Sequence, residues 1–110
     1  MKFEIVATGS FSKHLKKLAN KYPSIKKDMV QLVEALETAP QQGTPLGNDC
    51  FKIRLAITSK GKGKSGGARV ITCVKVIQSK VYLVALYDKS EQDSISDTHL
   101  DILLRVAGLV

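Results

Sequence analysis

Tryptophan is absent from this chain of 110 residues, and three Phe and three Tyr are its only aromatic residues. Single-stranded nucleic acids bind sequence-reading platforms by stacking bases on rings, so so few rings argue against such a platform. Two cysteines, Cys50 and Cys73, are too few for a disulfide scaffold. His14 and His99 lie far apart, and no Cys-x-x-Cys or His-x-x-x-His spacing occurs, so no metal site is expected. No apolar run approaches the roughly 20 residues of a membrane helix. The start, Met1-Lys2-Phe3-Glu4-Ile5-Val6, does not read as a secretory signal, so a reduced, cytoplasmic setting without a membrane partner is expected. The most informative absence is acid. Residues 51–80 hold eight Lys and Arg and no Asp or Glu, giving +8, whereas residues 1–50 carry +2 and residues 81–110 carry −3. One block thus supplies the whole net charge of +7. Solvated faces normally mix signs, so this concentration favours an acidic partner such as nucleic acid, an anionic membrane or an acidic protein segment.

What is present is ordinary for one globular domain spanning 1–110, with 44% hydrophobic and 25% charged residues. Residues 2–7 read as a short strand. Phe11, Leu15, Leu18, Ala19 and Tyr22 then recur at helical spacing, with Ser10 as the expected N-cap and Pro23 as the stop. Ile25, Met29, Leu32, Val33 and Leu36 repeat the offsets behind Ser24, which predicts an antiparallel helical hairpin. Residues 40–50 contain two Pro and two Gly and are expected to form a loop. From Phe51 the period changes to two: Phe51, Ile53, Leu55 and Ile57 alternate with Lys52, Arg54, Ala56 and Thr58, a half-buried strand with a basic outer face. A glycine- and lysine-rich connection, residues 60–67, leads to a second strand at about 68–78, where Arg69, Ile71, Cys73 and Lys75 should face away from the helices. Residues 81–87 form a third strand, and Leu100, Leu103, Leu104 and Ala107 mark a short C-terminal helix capped by Ser96 or Asp97. The expected fold is α+β: a helical hairpin on one face of a mostly antiparallel four-stranded sheet, in the order β-α-α-β-β-β, followed by that helix.

Gly63-Lys64-Ser65 invites a phosphate-loop reading, but Thr58 stands where that pattern needs glycine and a strand, not a helix, follows. Lys60, Lys62 and Lys64 instead suggest a basic flap over phosphates, with Lys75 extending it along the strand. Lys52, Arg54 and Arg69 fall on adjacent strands and can converge on one solvent-facing site. Such a cluster could bind RNA or cleave it without metal or cofactor. The ribose 2′-OH already lies beside its phosphate, so the protein must supply alignment, positive charge for the phosphorane oxygens and proton transfers. A lysine becomes a base where neighbouring cations lower its pKa; Lys52, beside Arg54 and Arg69, is the candidate. Tyr87 and Lys89, where the last strand gives way to a loop, are candidate proton donors.

Three segments together resemble the RelE/HigB toxins of type II toxin–antitoxin systems: Phe51-Lys52-Ile53-Arg54-Leu55, then Gly61-Lys62-Gly63-Lys64-Ser65-Gly66-Gly67-Ala68-Arg69, then Val81 through Ser90. The similarity extends to the helical hairpin and its Leu-Ala-Asn-Lys-Tyr-Pro ending, and the Gly-Lys-Ser-Gly-Gly-x-Arg segment is similar to the HigB-type branch. The resemblance implies a cytoplasmic, ribosome-dependent mRNA endoribonuclease acting without metal, silenced by a cognate antitoxin, with mRNA and the ribosome as its other partners. It matches Lys52 and Arg54 to paired basic strand residues and Arg69 to a phosphate-stabilising arginine, with Lys89 near a further basic position. No tyrosine follows Tyr87 and the strands carry no histidine, so the resemblance leaves the general acid open. Two other readings are a ParE-like gyrase inhibitor on the same fold and a non-catalytic RNA-binding module; the Lys-x-Arg strand and Arg69 favour the nuclease.

Overall fold

Thr8 sets the first turn of the structure. The computed structural model describes residues 2–61 and 63–110. A short strand, β1 (Glu4–Ala7), leads into helix α1 (Gly9–Lys21), whose N-cap is Thr8: its backbone is extended and its hydroxyl accepts from the Phe11 N–H. Ser10, the expected cap, lies inside the helix and donates to the Val84 carbonyl at 3.0 Å. Helix α2 (Ile25–Thr38) follows after Tyr22-Pro23-Ser24. The Ser24 hydroxyl makes no capping bond; it is used by Asp28 and Ser59.

Residues 40–50 are not all loop. Thr44–Gly47 form β2, which pairs antiparallel with β3 (Cys50–Leu55). The turn between them is Asn48-Asp49, both at positive φ (53° and 64°), as a two-residue hairpin of the primed type requires and as Asn and Asp tolerate. The sheet therefore has five strands rather than four. Pro45 is accommodated because β2 is an edge strand. Strand β4 (Ala68–Lys75) ends earlier than expected, in a 3₁₀ turn at Val76–Gln78 that leaves Val76 exposed, and β5 (Lys80–Asp88) returns antiparallel. Helix α3 (Asp97–Val106) is capped by Ser96, whose hydroxyl accepts from the His99 N–H. The strand order is β1-β5-β4-β3-β2, with β1 alone running parallel to its neighbour, β5.

Each face of the sheet has its own core. Phe11, Leu18, Ile25, Met29 and Leu36 of the hairpin pack on Ile53, Leu55, Val70, Val74, Val81, Leu83 and Leu86. The opposite face is not open, as the sequence suggested. Leu100 and Leu104 of α3 cover Cys50, Ile71, Cys73, Val84, Ala85 and Tyr87. The apolar residues in the middle of that face require such a cover. Among the described residues, no helix is long and apolar enough to cross a membrane.

Two local features position the end of the sheet. The β4–β5 ladder shifts between Ile71 and Thr72, which face Ala85 and Leu83, so Val84 is an extra residue. An unbulged ladder would set Leu86 opposite Arg69; the bulge sets Tyr87 there instead. The second feature is Gly67, where a Cβ would lie 2.1 Å from the Leu55 carbonyl oxygen. Only glycine lets the returning loop pass this close to β3.

Candidate functional site

The register of β3, β4 and β5 builds one row of side chains. Arg54 lies opposite Arg69, and Arg69 lies opposite Tyr87. Lys52, two residues from Arg54, shares their face, the one covered in part by α3. The Val74 N–H donates to the Asp49 carbonyl at 2.9 Å. That fixes the alternation of the ladder: Cys50–Cys73, Lys52–Ile71 and Arg54–Arg69 are the closely spaced, non-hydrogen-bonded pairs. Two arginines directly opposite in such a pair repel. The arrangement becomes favourable when acceptors or an anion stand between them.

Part of that compensation is internal. Arg69 is only 6% exposed, and its guanidinium donates to the carbonyls of Lys64, Ala68 and Ser65 at 3.0, 3.1 and 3.2 Å. It is not the solvent-facing side chain that the alternation suggested, because the loop after Gly63 folds over it. Arg54 is exposed and Lys52 half-buried. Arg54 and Lys64 line a common groove of about 280 Å3 between the end of β3 and helix α2, which contributes Asp28, Gln31, Leu32 and Ala35.

Tyr87 and Lys89 flank the same end of the sheet. The Tyr87 hydroxyl is buried and, among the described residues, without a hydrogen-bond partner. Burial pushes its pKa up against the opposing charge of Arg69, so it stays a protonated donor at neutral pH. Lys89 forms an ion pair with Asp93 and also donates to the Asp93 carbonyl at 3.2 Å. Asp93 is 92% exposed at its side chain, and its pKa is lowered by the Lys89 hydrogen bond and then by the charges of Lys89, Lys52 and Arg69. This carboxylate thus sits in the field of the cationic row, where an external anion would also be drawn. Sequence reasoning missed Asp93, although the Lys89-x-x-x-Asp93 spacing was visible.

The other expected contact residues are placed differently. Lys60 is largely buried and pairs with Asp88 at 2.7 Å, with side-chain exposures of 10% and 1%. It also donates to Ser90 and lies over the Tyr22 ring. Burial alone would raise the Asp88 pKa, but hydrogen bonds from Lys60, Tyr22 and Ser90 outweigh it and hold the carboxyl well below its ordinary range. Lys75 pairs with Asp49 at 3.7 Å. Lys64 is exposed, and Lys62 lies outside the described residues. The acid-free block is therefore partly neutralised by Asp49 and Asp88 from outside it. His14 is a packed residue of α1 whose Nδ1 accepts the Leu86 N–H at 3.2 Å. Among the described residues, no cluster of three or more His, Cys, Asp or Glu could hold a metal.

This five-stranded sheet, with a helical hairpin on one face and a short helix on the other, has solved counterparts among bacterial toxins. An arginine double mutant of E. coli toxin RelE in the free state is 17% identical and superposes with a TM-score of 0.62, covering 84% of this chain and 90% of that one. A metal-bound toxin from Helicobacter pylori is 21% identical, with a TM-score of 0.53 and coverage of 82% and 98%. The E. coli RelE mutant in complex with an antitoxin RelBc peptide is 20% identical, with a TM-score of 0.50 and coverage of 88% and 98%. At these identities the likeness defines a fold. The family follows from sequence: the model of the RelE toxin of the RelE/RelB toxin–antitoxin system matches residues 10–110, and the chain belongs to that family. No curated protein matches the chain by sequence.

Proposed function

We propose that this chain is the toxin of a type II toxin–antitoxin pair and that it cleaves mRNA on the ribosome by metal-free attack of a ribose 2′-OH. The observation that carries this reading is the row Arg54–Arg69–Tyr87 with Lys52 beside it: a close pair of like charges next to a buried, protonated phenol. Such a row suits a phosphodiester, whose charge the exposed Arg54 and half-buried Lys52 can meet while Arg69 stays bonded to the loop carbonyls.

In this mechanism Lys52 and Arg54 contact the scissile phosphate, and their charge stabilises the phosphorane oxygens. Lys52, as the neutral amine, takes the 2′-OH proton and so gains the charge it lends the phosphorane, and Tyr87 protonates the departing 5′ oxygen once α3 moves off its buried hydroxyl. Arg69 acts as a positioning residue: its bonds to the carbonyls of Lys64 and Ser65 hold the basic loop beside the row. Lys89 becomes available when the incoming phosphate displaces Asp93. A cognate antitoxin keeps the toxin silent by covering this basic end, as charge complementarity favours. The HigB-type assignment rests on the Gly-Lys-Ser-Gly-Gly-x-Arg segment.

The test is to mix purified protein with programmed ribosomes and map mRNA 5′ ends, with a gyrase supercoiling assay alongside. Cleavage within the message, dependent on ribosomes and insensitive to chelator, is expected. Intact message together with inhibited supercoiling would overturn the reading in favour of a gyrase inhibitor.

A further inference from the structure

Cys50 and Cys73 take no part in the proposed chemistry, yet the fold brings them together closely. They are direct partners in the β3–β4 ladder, at one of its non-hydrogen-bonded positions. At such positions side chains approach most closely, with Cβ atoms about 4.5 Å apart, near the upper end of the disulfide range. Both sulfurs converge on one acceptor, the Asn48 carbonyl, at 3.5 and 3.9 Å. Both residues are free thiols, 1% and 0% exposed, under a lid formed by Leu46, Leu100 and Leu104. The pair lies one ladder step from the exposed Asn48-Asp49 turn, so fraying of that hairpin is the shortest route for a small reagent.

We propose that Cys50 and Cys73 form a redox-active dithiol, a site for small two-electron oxidants of the hydroperoxide class that closes to a disulfide joining β3 to β4. The two sulfurs are not equivalent. Once Cys73 ionises, the Cys50 S–H can turn from the Asn48 carbonyl to the Cys73 sulfur; that contact and then the positive charge of Lys75 lower the Cys73 pKa, while the same contact raises Cys50. Cys73 is therefore the attacking thiolate and Cys50 the resolving thiol. In the first step the Cys73 thiolate attacks one oxygen of hydrogen peroxide. The O–O bond breaks, hydroxide leaves and takes up a proton to become water, and Cys73 becomes a sulfenic acid. In the second step the Cys50 sulfur attacks the sulfenic sulfur. The S–S bond forms, the S–O bond breaks, and the Cys50 proton leaves with the hydroxyl as a second water. Two thiols are oxidised by two electrons, and one peroxide is reduced to two waters. An external dithiol reverses the closure by exchange.

The experiment treats the reduced full-length protein at neutral pH with one equivalent of hydrogen peroxide. Free-thiol titration, intact mass and non-reducing peptide mapping then follow the products. The expected result is paired loss of both thiols, a mass lower by two hydrogens, a Cys50–Cys73 cross-linked peptide and full recovery with dithiothreitol. Cys50→Ala should stop at a Cys73 sulfenic acid that a dimedone probe captures, whereas Cys73→Ala should consume peroxide about tenfold more slowly. Wild-type thiols that react only after unfolding in urea, or that give separate sulfinic acids or intermolecular dimers, would overturn the proposal. That outcome is read on the unaltered chain, whether or not the variants fold.

Discussion

The two faces of the sheet treat charge in opposite ways. On the hairpin face a largely buried ion pair, Lys60–Asp88, is closed by Tyr22 and Ser90. On the α3 face, Arg54 and Arg69 are paired with each other, and the nearby carboxylate, Asp93, is almost wholly exposed on a loop. The first is a structural lock, since neither partner can leave without stranding the other in a dry site. The second is an exchangeable arrangement, since a solvated carboxylate yields readily to a better anion. The same sheet thus carries its stability on one face and its proposed chemistry at the end of the other.

The comparison breaks most clearly at the lock. Lys60→Ala leaves Asp88 buried without its cation and should cost about 4 kcal/mol of folding stability in urea titrations. Leu104→Ala removes the α3 anchor on the other face. It should cost about 3 kcal/mol, because a fully buried leucine is replaced by a cavity. Acid separates the faces in another way. The Asp88 pKa is depressed below its ordinary value of 3.8. Its contribution is therefore present above about pH 4 and is lost as pH falls through the folded-state value. Asp88→Asn should flatten that decline, by on the order of 2 kcal/mol between neutral pH and strong acid. The smallest effect on stability belongs to Asp93→Asn. The urea midpoint should stay put while affinity for a short RNA, measured by fluorescence anisotropy at low salt, rises a few-fold; unchanged affinity would mean that Asp93 does not compete for the site.

How much of this was legible in the sequence follows the range of the interactions. The twin helices and β3 were legible because their apolar periods, 3.6 and 2, are local. That Lys52, Arg54 and Arg69 share a face followed from the same alternation. β2 was hidden because four residues containing Pro45 read as loop, and only pairing to β3 makes them a strand. The bulge at Val84 carries no glycine or other signature, yet it decides that Tyr87 rather than Leu86 stands beside Arg69. The charge count misjudged Lys60 and Lys75, whose acids, Asp88 and Asp49, come from segments outside the basic block. Burial of Arg69 was equally invisible: its partners, the Lys64 and Ser65 carbonyls, are close in sequence, but nothing in a polar, glycine-rich loop shows that it folds back over the row.

The central claim is that the cationic row on the α3 face is where RNA is held and cut. The most direct test is the Lys52→Ala/Arg54→Ala double variant on programmed ribosomes, with its urea midpoint measured in parallel. Loss of mRNA cleavage with an unchanged midpoint is the result this account predicts. Wild-type cleavage by the folded double variant would contradict it.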